Sequence, residues 1–246
     1  ADGFRIDLAA LEARLEAEPR ARAVLAVQPA NPTGTLVADD ERAAIFALCR
    51  AHDLALVVDE VFYDYRTSAA RSFAGADPEV LTFVLSGLSK VALLPQLKLG
   101  WTTVRGPEAL RREALDRLEL IADCYLGVST AVQLGAPAIL DAVDPMQDAL
   151  RARLHHNRAC LEAHCANTSL SVVASQGGWY ALVELPRTRS DDAWVELLVR
   201  EERLAVQPGY FYDIAEAGTV VLSLLLSPDV FDEAVGRFVA RVVAAA

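Results

Sequence analysis

The stretch that decides the fold is residues 81–90, LTFVLSGLSK, in which an apolar run ends in a short polar segment and a lysine. Two earlier apolar runs end in a similar way: residues 23–28 are followed by Asn31, and residues 54–58 by Asp59. Short, continuous apolar runs are typical of strands that are covered on both faces, as in a parallel sheet. The sequence therefore predicts three strands, each with a polar side chain just beyond its carboxyl end.

Helical segments separate these strands. A helix is predicted to begin near Asp39 and Asp40, because acidic residues are favoured in the first turn of a helix. The alternation of strands and helices indicates an α/β fold with a parallel sheet and right-handed crossovers. Ligands bind at the carboxyl ends of the strands in such sheets. We therefore expect Asn31, Asp59 and Lys90 to converge on one edge of the sheet.

The second half of the chain has a different pattern, with longer helices and fewer, shorter strands. The predicted elements are helices at 107–122, 130–142, 145–166, 191–202 and 228–243, and strands at 170–174, 179–185 and 220–225. This pattern indicates an α+β layer with its own apolar core. We therefore predict two domains, a ligand-binding portion at 1–145 and a small C-terminal domain at 146–246.

Composition limits the classes of function. The 246 residues carry a formal net charge of −11 and a sequence pI of about 4.8, which argues against binding of nucleic acid. Four cysteines are too few and too scattered for a disulfide scaffold. The longest uncharged run, at 124–140, is shorter than the ~20 apolar residues of a membrane span. We expect a soluble, cytoplasmic protein without a nucleic-acid or membrane partner.

The three polar side chains at the strand ends suit the chemistry of pyridoxal 5'-phosphate (PLP). A lysine amine can bind the aldehyde of PLP, and a carboxylate can hold its pyridine nitrogen protonated, which makes the ring an electron sink. Each residue also has an ordinary interpretation: Lys90 as a solvated loop lysine, Asp59 as a helix cap or turn residue, and Asn31 as part of a turn. Their joint occurrence at one predicted edge favours the functional interpretation.

Four motifs resemble the class I/II aminotransferases, which are PLP-dependent enzymes of fold type I. The segments GLSK at 87–90 and KLG at 98–100 resemble the cofactor-attachment signature of that family. The segments GGWY at 177–180 and VQPG at 206–209 resemble landmarks of its small domain. The resemblance implies a three-layer α/β/α large-domain portion followed by an α+β small C-terminal domain.

The resemblance also implies roles for individual residues. Lys90 forms the internal aldimine with PLP and later moves a proton between the substrate α-carbon and the cofactor. Asp59 pairs with the pyridinium nitrogen, and Asn31 contacts the phenolic oxygen. Ser89 belongs to the cofactor-binding set, and Lys98 binds the phosphate at a position where the family usually has arginine.

Other positions depart from the family pattern. Phe62 stands where a tyrosine commonly donates to the ring oxygen, with Tyr63 adjacent. Val221 stands where an arginine usually binds the substrate carboxylate, which leaves Arg66 or Arg105 as alternative cations. Family members also have a long N-terminal region that carries a phosphate-binding loop. We therefore expect this chain to be the C-terminal portion of a longer protein.

The resulting functional prediction is a transaminase that moves an amino group from an amino donor to a 2-oxo acid through the Lys90 aldimine. We expect a homodimer, and weak or no activity from the isolated portion. One alternative is another PLP reaction, such as β-elimination or decarboxylation. The other is a non-catalytic, aminotransferase-like module or fragment.

A metal site is not predicted. His156, Cys160 and His164 recur at intervals of four residues, but the outer two are about 12 Å apart along a helix and cannot share one ion. Cys160 with either histidine could bind zinc as a pair. A partly buried helix face is the more ordinary interpretation of the pattern.

Overall fold

A computed structural model describes residues 4–75, 79–214 and 217–246. The chain folds into two compact units. The N-terminal unit contains Phe4–Ala30 and Thr35–Gln147, and the C-terminal unit contains Asn31–Gly34 and Asp148–Ala246. The division into functional domains at 145/146 stays a prediction.

The N-terminal unit is built on a four-stranded sheet. Its strands, in spatial order, are β1 (Ala23–Val27), β2 (Ala55–Asp59), β3 (Thr82–Gly87) and β4 (Gly100–Arg105). β1, β2 and β3 are parallel, as predicted, whereas β4 runs antiparallel to β3. A parallel return requires a crossover of a dozen or more residues, usually a long helix, but only short helical turns lie between β3 and β4. The three predicted parallel strands are confirmed, and β4 is an additional, antiparallel strand that the sequence did not predict.

Within the part of this unit that the structure describes, the α-helices are α1 (Leu8–Ala17), α2 (Asp39–Ala51), α3 (Leu88–Val91), α4 (Glu108–Asp123) and α5 (Thr130–Asp141). α2 begins at the predicted acidic residues, and its buried Ile45 and Phe46 join the core formed by Leu56 and Val58 of β2. Burial of such side chains stabilises the fold by roughly 1.5–3 kcal/mol each. This core fixes β2, whose carboxyl end carries Asp59.

The C-terminal unit contains a second sheet, in which every pair of neighbouring strands is antiparallel. The elements are α6 (Asp144–Cys165, whose first residues belong to the other unit), β5 (Ser171–Val172), β6 (Tyr180–Glu184), α7 (Asp191–Leu197), β7 (Gln207–Pro208), β8 (Thr219–Ser223) and α8 (Pro228–Ala245). Their spatial order in the sheet is β5-β6-β8-β7. This is the α+β arrangement expected from the sequence.

Large apolar side chains remain exposed on the helical part of the N-terminal unit. Leu120, Ile121 and Leu134 are 68%, 54% and 78% exposed, and Leu126, between α4 and α5, is fully exposed. Exposed apolar groups in such numbers are typical of a surface that binds another protein segment. Among the described helices, none combines the length and hydropathy needed to cross a bilayer.

Candidate functional site

Asp59 lies at the carboxyl end of one parallel strand, and Lys90 lies just beyond the carboxyl end of its neighbour. Asp59 is the last residue of β2 and is paired with Leu85 of β3. The backbone N–H of Glu60 donates to Leu85 O at 2.9 Å, which keeps the two chain segments together at this edge. Lys90 follows in α3, directly after β3. Neighbouring strands are about 4.8 Å apart, so both residues lie at the same edge of the sheet.

The segment that follows Asp59 also contacts Lys90 directly. Lys90 Nζ lies 5.2 Å from the centroid of the Phe62 ring, and Phe62 is itself buried. The buried Tyr65 donates its hydroxyl to Lys90 O at 2.8 Å. Both the backbone and the amine of the lysine therefore contact the chain that leaves β2. A cation over an aromatic face is stabilised by about 0.5–1 kcal/mol at an exposed site, and by more where water is excluded.

α3 is anchored on its apolar side. Leu88 and Val91 are buried with Val143 in a small core cluster. Gln147 Nε2 donates to Val91 O at 2.9 Å, which satisfies a buried carbonyl near the end of this short helix. The helix therefore holds the half-buried Lys90 on a fixed backbone.

The Asp59 carboxylate is half-buried and oriented by its own turn. Its Oδ1 accepts a hydrogen bond from the backbone N–H of Val61 at 2.9 Å. Within residues 4–75, 79–214 and 217–246, no hydrogen bond reaches Oδ2. The carboxylate is therefore held by one oxygen and can accept an N–H group of a ligand with the other.

A buried polar network supports the strand ends and was not predicted from the sequence. Glu60 is 5% exposed and accepts hydrogen bonds from Gln28 Nε2 at 3.1 Å, Ser72 Oγ at 2.6 Å and Phe73 N at 2.7 Å. Gln28 is itself fully buried. A buried carboxylate is costly unless several donors satisfy it. Here the donors come from the end of β1 and from the 72–73 loop, so Glu60 fixes both beside Asp59.

The return from β3 to β4 leaves no space for a side chain at Gly87. A Cβ there would lie 2.9 Å from Leu99 O, closer than real Cβ atoms approach other atoms, and 3.0 Å from Gly100 Cα, which is also a tight contact. Leu88 N also donates to Leu99 O at 3.0 Å. The segments 87–90 and 98–100, which form the predicted cofactor-attachment signature, are thereby held against each other.

Ser89 and Lys98 lie on this same return. Ser89 is half-buried in the first turn of α3, and Lys98 is exposed, with a left-handed backbone at φ 53°. The cofactor-binding role of Ser89 and the phosphate-binding role of Lys98 stay predictions.

Asn31 belongs to the C-terminal unit, whereas Asp59 and Lys90 belong to the N-terminal unit. It is exposed and belongs to the loop Asn31–Gly34, which is part of the C-terminal unit. Gly34 has a positive φ of 69°, and a Cβ on it would overlap Ser175 Oγ and Gly177 O. Gln176 N donates to Gly34 O at 2.9 Å. The loop is therefore fitted to the 175–177 turn, and the role of Asn31 beside Asp59 and Lys90 stays a prediction.

Tyr63 and Arg105, which the sequence offered as alternatives to the usual tyrosine and arginine of the family, both donate hydrogen bonds to backbone carbonyls. Tyr63 donates its hydroxyl to Ala70 O at 2.7 Å. Arg105 lies opposite Thr82, the first residue of β3, so it is at the end of the sheet away from Lys90, and its Nε donates to Ala74 O at 2.7 Å. β3 spans about 17 Å at 3.3 Å per residue, which rules out Arg105 as a cation beside Lys90.

Arg66 remains in the segment that follows Asp59. Its guanidinium lies 4.0 Å from the centroid of the Tyr63 ring, and Nη1 donates to Tyr63 O at 2.9 Å. Val221 is 3% exposed at the centre of β8, between Leu182 and Gln207. An apolar, buried strand residue therefore occupies the position at which the resemblance implies an arginine.

Similarity to known proteins decides the family. A sequence model described as aminotransferase class I and II matches residues 1–238. The chain belongs to this family. Members of the family depend on PLP, and the fold is that of the fold type I PLP-dependent transferases. The family, the fold and the cofactor that the motifs implied are thereby confirmed.

Individual relatives agree with the family assignment. An arginine–pyruvate transaminase of Pseudomonas aeruginosa is 29% identical over 243 residues, which cover 96% of this chain and 59% of that protein. The structure of an N-succinyldiaminopimelate aminotransferase of Mycobacterium tuberculosis is 28% identical, with a TM-score of 0.79 over 98% of this chain and 63% of its own. A tyrosine aminotransferase of Leishmania infantum has a TM-score of 0.86 at 20% identity, with 98% and 60% covered, which shows the fold. The chain thus spans about three-fifths of each of these aminotransferases.

The residues at the sheet edge fit PLP chemically. The cofactor requires an amine for its aldehyde and an anionic acceptor for its protonated ring nitrogen. Lys90 and the Oδ2 atom of Asp59 are of these two types, and both residues are half-buried at one edge of the sheet. The donor set in this unit is therefore consistent with the cofactor of the family.

Proposed function

We propose that this chain carries the cofactor-attachment site of a PLP-dependent aminotransferase, which transfers an amino group from an amino donor to a 2-oxo acid. The observation that supports this is that Asp59, at the end of β2, is paired with Leu85 of β3, and that Lys90 follows β3 in α3. The contact of Lys90 Nζ with Phe62, three residues after Asp59, links the two residues further.

In this proposal Lys90 and Asp59 have distinct chemical tasks. When bound, PLP supplies an electron sink for the substrate α-carbon. Asp59 Oδ2 accepts a hydrogen bond from the protonated ring nitrogen and so keeps the ring positively charged. Lys90 Nζ holds the cofactor and, in its uncharged form, takes up and returns the proton of the substrate α-carbon. The Phe62 ring excludes water from one side of Nζ.

Three further residues complete the proposed site. Asn31 donates to the ring oxygen, Lys98 binds the phosphate, and Ser89 belongs to the cofactor-binding set. Lys98 keeps the positive charge of the arginine that is usual in the family but not the two-pronged geometry with which arginine holds a phosphate. We therefore expect weaker phosphate binding at this position than an arginine would give.

The substrates and the assembly are also proposals. Three curated relatives are named as pyruvate transaminases, acting with arginine, valine or glutamate. These names support an amino acid donor and a 2-oxo acid acceptor for the protein to which this chain belongs. Arg66 is the cation we assign to the substrate carboxylate, since Val221 is apolar. We further propose a cytoplasmic homodimer.

A titration with PLP tests the proposed site. The chain is expected to show the absorbance of an imine as PLP is added, and Lys90→Ala is expected to abolish that band. Asp59→Asn is expected to keep the band but to weaken binding of PLP, because the ring nitrogen loses its anionic partner. A band of equal intensity in Lys90→Ala would overturn the proposal.

An assay of products separates transamination from the alternatives. An amino acid panel with pyruvate as acceptor is expected to yield a keto acid and alanine in a manner that depends on Lys90. Release of ammonia or sulfide instead would indicate an elimination. Binding of PLP without turnover of any donor, in a protein that contains the whole chain, would indicate the non-catalytic alternative.

A further inference from the structure

The Cys160–His164–Asp232 cluster brings three metal-ligating side chains together in the C-terminal unit. Cys160 and His164 are one turn apart on α6, and Asp232 comes from α8. Cys160 Sγ lies 3.2 Å from Asp232 Oδ1, and His164 Nε2 lies 2.9 Å from the same oxygen. All three ligand atoms lie within 4.8 Å of one another. The third ligand is thus supplied by a helix that is distant in sequence.

The local packing fixes the imidazole against α8. Gly236 follows Asp232 by one turn, and a Cβ on it would lie 3.5 Å from His164 Cε1. The histidine ring therefore packs directly on this part of α8, with no side chain between them. Residues four apart on a helix face the same side, so Cys160 and His164 both face Asp232. His164 and Asp232 keep 35% and 64% of their side-chain surface exposed, which leaves the cluster accessible to an ion.

We propose that the Cys160–His164–Asp232 cluster binds a divalent cation of the zinc class, with water in the fourth position. Sulfur, imidazole nitrogen and carboxylate oxygen together suit Zn²⁺, whereas Mg²⁺ and Ca²⁺ prefer oxygen ligands alone. Zinc bonds of about 2.0–2.3 Å in a tetrahedron separate the ligand atoms by roughly 3.4–3.7 Å. The two distances to Asp232 Oδ1 need to increase by only about 0.5 Å, which rotation of this exposed side chain provides.

A bound ion would replace the proton of the Cys160 thiol, which now interacts with Asp232. Burial, and next the hydrogen bond to Asp232, raise the pKa of the Cys160 thiol to about 11, so the thiol keeps its proton at neutral pH. The hydrogen bond from His164, and then that from Cys160, hold the pKa of the Asp232 carboxyl below its usual value. His156 lies near enough to act in the same direction. An ion at this position displaces the thiol proton into solvent and takes over the interaction that the carboxylate now makes with it.

The expected consequence is a cross-link between α6 and α8. A cation that binds the folded cluster and not the unfolded chain stabilises the folded state as its concentration exceeds the dissociation constant. The site is separate from Asp59 and Lys90, which belong to the other unit. Binding of the ion is therefore measured without PLP.

Titration of the metal-free chain with Zn²⁺, in competition with a chromophoric chelator, tests the proposal. Cys160→Ala, His164→Gln and Asp232→Asn are each expected to weaken Zn²⁺ binding by about 100-fold or more, since loss of even an outer-shell partner costs about 10–100-fold. His155→Gln and Asp229→Asn are the matched controls, because they remove an exposed histidine of α6 and an exposed acid of α8. Both controls are expected to bind Zn²⁺ as the wild type does.

Co²⁺ gives an independent readout, because a thiolate bound to Co²⁺ has a charge-transfer band in the near ultraviolet. The wild type is expected to show this band, and Asp232→Asn, whose exposed side chain is not part of the core, is expected to lose tight binding while its circular dichroism stays unchanged. The proposal is wrong if the wild type binds Zn²⁺ no more tightly than the three variants, or if Cys160→Ala retains the band.

Discussion

Glu60→Gln is expected to destabilise the N-terminal unit far more than its conservative nature suggests. The Glu60 carboxylate is buried and accepts from the side chain of Gln28, the hydroxyl of Ser72 and the backbone of Phe73. A glutamine side chain keeps one acceptor oxygen and places an NH₂ group against the Ser72 hydroxyl, which must then accept a hydrogen bond instead of donating one. The change turns three charge-assisted hydrogen bonds, each of about 1.5–3 kcal/mol, into neutral ones of about 0.5–1.5 kcal/mol.

These contributions give an expected loss of about 3 kcal/mol in the free energy of unfolding. For a chain of this length, about 2–4 °C per kcal/mol converts the loss into a decrease in Tm of about 6–12 °C. Urea and thermal unfolding followed by circular dichroism measure both quantities. The matched control is Glu79→Gln, since the Glu79 side chain is 72% exposed and its ion pair with Arg50 is 3.8 Å long. Exposed pairs contribute about 0–1 kcal/mol, so this variant is expected to unfold nearly as the wild type does.

The reasoning would be refuted if Glu60→Gln and Glu79→Gln had the same stability. That result would mean that the Glu60 network contributes no more than a surface ion pair. The strand ends beside Asp59 would then be fixed by apolar packing alone.

Other substitutions test close packing and the exposed apolar surface. Gly87→Ala is expected to lower the free energy of unfolding by about 1–3 kcal/mol through overpacking. Gly127→Ala is its control, because a Cβ at Gly127 would meet no atom within 4 Å. This control is expected to leave the free energy of unfolding nearly unchanged. Gly34→Ala is expected to lower Tm, because its φ is positive and its Cβ would overlap Ser175 Oγ; an unchanged Tm would contradict the fitted loop. Leu126→Glu is expected to reduce self-association in sedimentation experiments, since it places a charge on a fully exposed apolar side chain; an unchanged association state would exclude this surface.

Much of the fold could be predicted from the sequence because the signals are local. Continuous apolar runs identified β1, β2 and β3, and the residue that follows each run could be read directly. Acidic residues marked the start of α2, which begins at Asp39 as expected. β4 was missed because its residues are mostly only partly buried and alternate with exposed ones, so it has no continuous apolar run.

Two features of the candidate sites could not be predicted, because they depend on contacts between distant parts of the chain. The loop of Asn31 follows β1, but the fit of Gly34 to Ser175, some 140 residues further on, assigns the loop to the other unit. The sequence likewise indicated that His156, Cys160 and His164 are too far apart along α6 to share one ion. The pattern on α6 gave no indication that Asp232, 68 residues after His164, would face the same position.

The most direct test of the central claim is to locate the bond between PLP and the chain. The sequence contains only two lysines, Lys90 and Lys98. Reduction of the PLP adduct with borohydride, digestion and mass spectrometry therefore distinguish them without ambiguity. We predict that the label is on Lys90, in wild type and in Lys98→Ala alike. A label on Lys98, or equal labelling of both lysines, would contradict it.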